Sequence, residues 1–445
     1  MDIKFSQHFT YGRLLRFAIP SIVMMLVTSV YTIVDGFFVS NFAGETAFAA
    51  VNLVIPILML LGTTGIMFGT GGSAIVAITL GEGRRARANR RFSLFTATTA
   101  VTGILLSLCG FFLMEPIARF LGADGALLRD SVQYGRIILC ALPLYALQIF
   151  FQSFFATAGK PNLGLFVTTC AGLTNVVLDA VLVIGLPQEY KLAGAAVATA
   201  ASEITGGLIP LIYFARPNSS ILRLGRTHFV LPAVWKAVTN GSSEFVGSVT
   251  MSFVSTVYNF QLLRYIGEAG VAAYGFMMYI SMIFAAAYVG YSVGTAPITG
   301  FHDGAGDFAE VRSVFRKSLV IIAVLGVCMT CFAELSARPL AMIFVGYDEA
   351  LLQLSVDGFR KFALSFLFMG FAIYGSSFFT ALNDGLTSAL ISFLRTFVFE
   401  TASVFVLPLL LGMSGIWYSI VVAEFMAMVM VAFFLWHKRK QVFAL

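Results

Sequence analysis

The chain has 445 residues, of which 59% are hydrophobic and only 11% charged. Soluble domains carry about 25% charged residues, so the composition excludes a soluble protein and is typical of an integral membrane protein. The net charge of +6 is of the kind that basic loops at a membrane surface produce, and we expect lipids, not nucleic acid, as neighbours of the basic clusters.

Apolar segments long enough for an α-helix to cross a bilayer recur from end to end between short polar breaks. We predict an all-α polytopic membrane protein with about twelve transmembrane helices and no soluble domain. The first segment is too long for a secretory signal and lacks a cleavage site, so we expect it to be retained. The predicted spans are 13–42, 48–79, 93–121, 128–158, 161–187, 192–215, 231–264, 270–300, 310–345, 350–381, 385–411 and 414–437.

Alternate loops differ in charge. One set contains basic clusters such as "RRARANRR" (84–91) and "HKRK" (437–440), whereas loops such as "LPQEYK" (186–191) are short and nearly balanced. Because cytoplasmic loops hold the excess of lysine and arginine, we predict an even number of crossings with both termini in the cytoplasm. A prokaryotic plasma (inner) membrane is the expected location.

An internal repeat relates the two halves. "SFFATAGKPNLGLF" from Ser153 resembles "SFFTALNDGLTSAL" from Ser377, and "LAGAAVATAASE" ending at Glu203 resembles "MSGIWYSIVVAE" ending at Glu424. "VTSVYTIV" from Val27 likewise resembles "VSTVYNFQ". The repeat predicts two pseudo-symmetric six-helix bundles around a central cavity, an architecture suited to alternating access. The predicted domains are an N-terminal bundle (1–215), a cytoplasmic linker (216–236) and a C-terminal bundle (237–445).

Two carboxylates lie inside apolar spans of the first half only. Asp35 is in the middle of the first span, where an unpaired charge is costly, and its repeat counterpart is Leu262. Asp179 has the counterpart Ser403, and it shares a helix face with Asn175, four residues earlier. An amide and two carboxylates could converge on one cation or proton, although a structural polar network is the alternative.

Four segments resemble the multidrug and toxin extrusion (MATE) transporters of the MOP flippase superfamily, and the resemblance covers essentially the whole chain. The segments are "IPSIVMMLVTSVYTIVDGFFVSNFAG", "FFATAGKPNLGLFVTTCAGLTNVVLDAVLVIG", "LAGAAVATAAS" and "VGTAPITGFHDGAGDFAEVRSVFRKSL". The resemblance implies a secondary antiporter that exports amphipathic, mainly cationic organic compounds in exchange for inward H⁺ or Na⁺. It also implies that Asp35, Asn175, Asp179 and Thr199 form the coupling site, with a possible Na⁺ at the first three.

Polar groups inside spans are the candidates for contact with the small-molecule substrate. These are Tyr31, Gln148, Gln152, Tyr258, Asn259 and, with an open role near the start of the seventh helix, Glu244. Glu203 and Glu424 are repeat-equivalent, which favours packing or hydrogen bonding between helices over coupling. Arg395 and Glu400 could form a local ion pair on the eleventh span.

Several other functions have little support in the sequence. A lipid-linked precursor flippase of the same superfamily is the closest alternative, but the first half offers intramembrane acids where such proteins usually have a cationic cavity. Neither a channel filter, nor a cluster of acids suited to a membrane enzyme, nor a P-loop is evident. We expect no enzymatic activity, no cofactor beyond the coupling ion, no metal site formed by the four histidines, and a monomer.

Overall fold

A computed structural model of the chain describes residues 5–346 and 348–443. Every regular element among the described residues is helical, as predicted, and sixteen α-helices follow one another along the chain. They are α1 (Tyr11–Phe38), α2 (Glu45–Gly81), α3 (Arg85–Phe120), α4 (Gly125–Thr157), α5 (Pro161–Gly185), α6 (Lys191–Ala215), α7 (Leu231–Asn240), α8 (Ser242–Tyr265), α9 (Glu268–Gly304), α10 (Phe308–Val345), α11 (Glu349–Ala363), α12 (Phe366–Ala381), α13 (Gly385–Phe393), α14 (Thr401–Leu411), α15 (Met413–His437) and α16 (Arg439–Phe443).

Within the described ranges, 10 helical stretches are long and apolar enough to cross a membrane. An eleventh crossing results when α11 and α12 are taken together, because they meet at a bend of 48°. Helix α8 supplies a further helix of 24 residues, less apolar because serine, threonine, asparagine and glutamine are frequent in it. The helix count agrees with the prediction of about twelve transmembrane helices.

The predicted span 231–264 consists of two helices instead of one. Helix α7 begins beside Pro232 and ends at Asn240, and Gly241 separates it from α8. A side chain at Gly241 could not be accommodated, since a Cβ there would lie 2.0 Å from the carbonyl oxygen of Met67 on α2. The chain therefore turns at this glycine to pack against α2.

Two spans contain π-helical turns. Residues Val39–Ala43 continue α1, and residues Leu394–Glu400 connect α13 to α14. A π-helical turn inserts an extra residue into an α-helix and often marks a functional position. The second of these turns contains both Arg395 and Glu400.

The loops fall on two faces of the bundle. In the loop at 216–230, Ile221 accepts a hydrogen bond from Arg85, which follows the loop at 82–84, and donates one to Ala158 in the next loop. The ring of Phe5 stacks on that of Phe301. We name the face that contains these loops and both terminal segments the termini face, and the other the opposite face. The sequence predicts that the termini face is cytoplasmic.

Glycines bring the two halves into backbone contact near the termini face. A Cβ on Gly81 would lie 2.0 Å from the carbonyl oxygen of Phe301, and one on Gly304 would lie 2.1 Å from that of Ile78. Farther from this face, a Cβ on Gly290 would lie 2.5 Å from the Cα of Ile22 on α1. Near the opposite face, by contrast, one buried apolar cluster extends from Val39 to Ala196 and contains residues of the first half alone. The halves are thus closed against each other at the termini face.

Candidate cation and substrate site

Asp35 lies near the end of α1 at the opposite face, and its side chain is half-buried. The hydroxyl of Thr199 on α6 donates a hydrogen bond to Asp35 Oδ1 at 3.2 Å, and the carbonyl oxygen of Ala195 lies 3.1 Å from the same hydroxyl. The first and sixth spans therefore meet at the residues that the resemblance had selected.

Helix α5 contributes the other two members of the group. Asn175 and Asp179 are buried on the face of α5 that packs against α1 and α6, and both are adjacent to the Asp35 carboxylate. Among the described residues, Asn175 Oδ1 and both carboxylate oxygens of Asp179 have no hydrogen-bond partner. The structure thus brings all four predicted coupling residues together.

The position of this group within the membrane follows from helix geometry. Asp179 lies six residues before the end of α5, and Thr199 lies eight residues after the start of α6. At 1.5 Å per residue, the group lies about 9 to 12 Å inside the helix ends at the opposite face. It is therefore within the apolar part of the bundle, on the side away from the closed termini face.

A second layer of polar groups lies one helical turn deeper. Tyr31 precedes Asp35 by four residues on α1, and Glu203 follows Thr199 by four on α6, which runs in the opposite direction. Gln148 Nε2 lies 3.4 Å from the hydroxyl of Tyr31. A Cβ on Gly206 would lie 2.4 Å from Gln148 Cδ, so glycine at this position lets Gln148 pack against α6.

Tyr134 and Tyr145 on α4 are members of the site that sequence reasoning missed. Tyr134 is buried beside Asp35, Asp179, Glu203 and Thr199, and Tyr145 is beside Glu203. Each is a polar ring inside an apolar span, the same signal that selected Tyr31. The tyrosines thus bring hydroxyl groups close to the acids.

The remaining substrate candidates lie apart from this group. Gln152 is buried one turn from Gln148 on α4. Tyr258 is buried in the second half, where its ring stacks on Tyr274 at 5.1 Å, and the neighbouring Asn259 is half-buried. Glu244 is half-buried in the first turn of α8, toward the termini face, so the structure does not bring it near Asp35.

Three acids at the site, Asp35, Asp179 and Glu203, have no basic partner in the described part of the chain. No described ion pair includes Asp35, Asp179 or Glu203, and no group of three His, Cys, Asp or Glu there could hold a metal ion. Carboxylate, amide and hydroxyl oxygens remain as possible ligands for Na⁺ or as carriers of a proton.

In the second half, the buried acid Glu424 has a basic partner. The sequence left a local ion pair between Arg395 and Glu400 open. In the structure Arg395 instead binds Glu424 on α15 through two nitrogens. Its Nη2 lies 2.6 Å from Oε1 and its Nε lies 3.0 Å from Oε2. A spacing of five residues does not place two side chains on one helix face. The antiparallel helix α15, by contrast, places Glu424 level with Arg395. Glu424 therefore has a structural partner, in line with the role predicted for it.

Comparisons with known proteins agree with this architecture. The MatE family model matches the chain twice, over residues 20–181 and 245–406, as the internal repeat requires. The chain is 23% identical to the multidrug export protein MepA of Staphylococcus saprophyticus over 94% of its length and 92% of that protein. It is 21% identical to MepA of Staphylococcus aureus strain MRSA252, over 93% and 91% of the two chains.

Solved structures show the same fold. A MATE protein in complex with MaL6 superposes with a TM-score of 0.92 at 20% identity, over 98% of this chain and 97% of that one. An outward-facing multidrug resistance MATE transporter of the MOP superfamily superposes with a TM-score of 0.89 at 20% identity, over 97% and 95%. With the family model covering both halves, the chain belongs to the MatE family of MATE transporters.

Proposed function

We propose that the protein is a secondary antiporter that exports amphipathic, mainly cationic organic compounds in exchange for inward H⁺ or Na⁺. The observation that carries this proposal is the group formed by Asp35, Asn175, Asp179 and Thr199 inside the membrane, with the Thr199 hydroxyl 3.2 Å from the Asp35 carboxylate. Intramembrane acids facing a bundle interior are functional groups by default. The name of the relative MepA, a multidrug export protein, supports the export of several drugs.

The coupling follows from electrostatics. Two adjacent carboxylates in a poorly hydrated site cannot both remain charged unless a cation or proton neutralises one of them. Opening of the site to water on the opposite face would lower that penalty, and its closure would restore it. Binding of the ion therefore depends on conformation, which is what exchange against a second ligand requires.

The closed termini face supports the alternating-access part of the proposal. Backbone contacts at Gly81 and Gly304 seal that face, whereas the candidate site lies nearer to the opposite one. Rocking of one bundle against the other would break these contacts and expose the cavity to the termini side. With the termini in the cytoplasm of a prokaryotic cell, the state described here faces outward.

The flippase alternative is not favoured. A lipid-linked precursor carries anionic phosphate groups, and the buried acids of the first half without basic partners would repel them. Monomeric assembly and the absence of enzymatic activity stay predictions.

The proposal is tested in proteoliposomes by efflux of the organic cation ethidium, driven by an imposed pH gradient or an imposed Na⁺ gradient. We expect one gradient to drive efflux by the wild type and Asp35→Asn to abolish it, with Asp130→Asn on α4 as the matched control. Asp130 forms none of the described hydrogen bonds or ion pairs of this chain. Wild-type rates in a folded Asp35→Asn protein would contradict the coupling site, and no ethidium transport by the wild type would contradict the proposed substrate class.

A further inference from the structure

Two glutamates occupy matching positions in the repeat but have different surroundings. Glu203 and Glu424 end the segments "LAGAAVATAASE" and "MSGIWYSIVVAE" on the last helix of each half. Glu424 is 1% exposed and accepts hydrogen bonds from Nε and Nη2 of Arg395. Glu203 is also buried, at 8% exposed, yet its Oε2 has no partner among the described residues. The same carboxylate is thus neutralised in one half and not in the other.

The reason lies on the neighbouring helix. In the repeat that aligns Ser153 with Ser377, the counterpart of Arg395 is Ala171. Ala171 lies against α6, since the hydroxyl of Ser202 donates to its carbonyl oxygen at 2.7 Å. The adjacent Gly172 is equally small, and a Cβ there would lie 2.8 Å from the Tyr31 ring. The first half therefore has small residues on α5 where the second half carries a guanidinium.

The groups around Glu203 suit a positively charged organic group. The hydroxyl groups of Tyr31, Tyr134 and Tyr145 are close enough to the Glu203 carboxylate to interact with it electrostatically. Gln148 Oε1 is a further buried acceptor without a partner among the described residues. A carboxylate with tyrosine and amide side chains close by is a combination that binds organic cations in proteins. A buried unpaired carboxylate is costly, which favours any ligand that neutralises it.

We propose that Glu203 binds the positively charged group of the transported compound, an ammonium or guanidinium, in the manner in which Glu424 binds Arg395. The inference rests on the proposed function and names the residue that recognises the substrate. Arg395 acts as the internal template, because it shows which group fits against this glutamate in the same fold. Asp35 and Asp179, one turn nearer the opposite face, are left to the coupling ion.

The first test is equilibrium binding in detergent with two probes, cationic ethidium and the neutral amphipathic dye Nile red. We expect Glu203→Gln to weaken ethidium binding at least about tenfold, since truncating one partner of a buried charge pair is costly, and to leave Nile red binding within about twofold. Glu189→Gln, at an exposed residue, is the matched control. Glu203→Met removes the carboxylate oxygens altogether, and we expect it to weaken ethidium binding as Glu203→Gln does. The test therefore needs only one of the two variants to fold.

The second test introduces a positive side chain next to Glu203 by mutation. Ala171→Arg places a guanidinium at the position of Arg395, and we expect it to neutralise Glu203 and to exclude ethidium as strongly as Glu203→Gln does. The double variant Ala171→Arg/Glu203→Gln should bind ethidium at least as weakly as Ala171→Arg alone, because the introduced guanidinium then lacks its carboxylate partner and repels the cation.

The outcomes separate this inference from the proposed function. Unchanged ethidium affinity in folded Glu203→Gln or Glu203→Met, with ion-driven ethidium efflux by the wild type, would overturn the inference and leave the antiporter intact. Equal loss of ethidium and Nile red would overturn it as well, since that result indicates a damaged cavity. A wild type that neither binds nor exports ethidium would remove both proposals.

Discussion

His8 Nδ1 lies 2.6 Å from the Oε2 atom of Glu310, although the two residues are 302 positions apart in the chain. The other oxygen of Glu310 accepts a hydrogen bond from the backbone N–H of Phe9 at 2.8 Å. Lys317 Nζ donates to the carbonyl oxygen of Phe9 at 2.6 Å. The segment Phe5–Thr10, which we name the N-terminal strap, is thereby attached to the start of α10 in the other half. The strap joins the two halves across the closed termini face.

Glu310→Gln should loosen the strap, because it replaces charge-assisted hydrogen bonds with weaker neutral ones. A hydrogen bond to a charged group contributes about 1.5 to 3 kcal/mol, so amide hydrogen exchange at Phe9 should accelerate by about tenfold or more. The measurement is hydrogen–deuterium exchange with mass spectrometry, with Glu349→Gln at an exposed position of α11 as control. Equal exchange in wild type and variant would show that Glu310 does not hold the strap.

Phe9→Ala should destabilise the protein through packing. The Phe9 ring is fully buried and contacts Phe17 and His302 at ring distances of 6.5 and 6.3 Å. Truncation of a buried phenylalanine costs about 3 to 5 kcal/mol, which should appear as a lower midpoint of thermal unfolding in detergent. Phe120→Ala removes a ring that is 89% exposed and should have almost no effect. Similar midpoints for the two variants would contradict the packing role of the strap.

The contacts of the N-terminal strap could not be predicted from the sequence. Its residues precede the first apolar span, and the pairing of His8 with Glu310 has no local signal, because it depends on how the two halves dock. The composition and the repeat, by contrast, predicted helices and two bundles, since both follow from period and hydropathy. The division of span 231–264 at Gly241 was missed because the close approach of α2 is a tertiary contact.

The residues of the candidate site likewise divide into those that the sequence identifies and those that only the fold brings together. Asp35 and Asp179 were identified because a carboxylate in an apolar span can be recognised from the sequence alone. The partner of Arg395 was not, since Glu424 lies 29 residues away on an antiparallel helix. Tyr134 carries the same signal as Tyr31 but needs the fold to place it beside Asp35.

Gly304→Ala should disturb the seal at the termini face. A Cβ there would lie 2.1 Å from the carbonyl oxygen of Ile78, which forces α9 and α2 apart at a cost of about 1 to 3 kcal/mol. Gly275→Ala, on the same helix, meets nothing within 4 Å and should be neutral or slightly stabilising. Electron paramagnetic resonance distances between spin labels on the 82–84 and 305–307 loops should lengthen in the first variant alone. Identical distances in both variants would place the seal elsewhere.

Arg395→Met should be far more destabilising than the double variant Arg395→Met/Glu424→Met. Removal of one partner leaves Glu424, 1% exposed, as a buried charge without compensation, at a cost of about 3 to 5 kcal/mol. Replacement of both partners by apolar side chains of similar length removes the desolvation penalty together with the pair, and such replacements are often neutral or stabilising. Unfolding in detergent, combined as a double-mutant cycle with Glu424→Met, measures the difference. A double variant as unstable as Arg395→Met alone would show that Arg395 stabilises the second half through contacts other than Glu424. The same cycle measures, inside this protein, how strongly a guanidinium binds a glutamate at the position that Glu203 occupies in the first half.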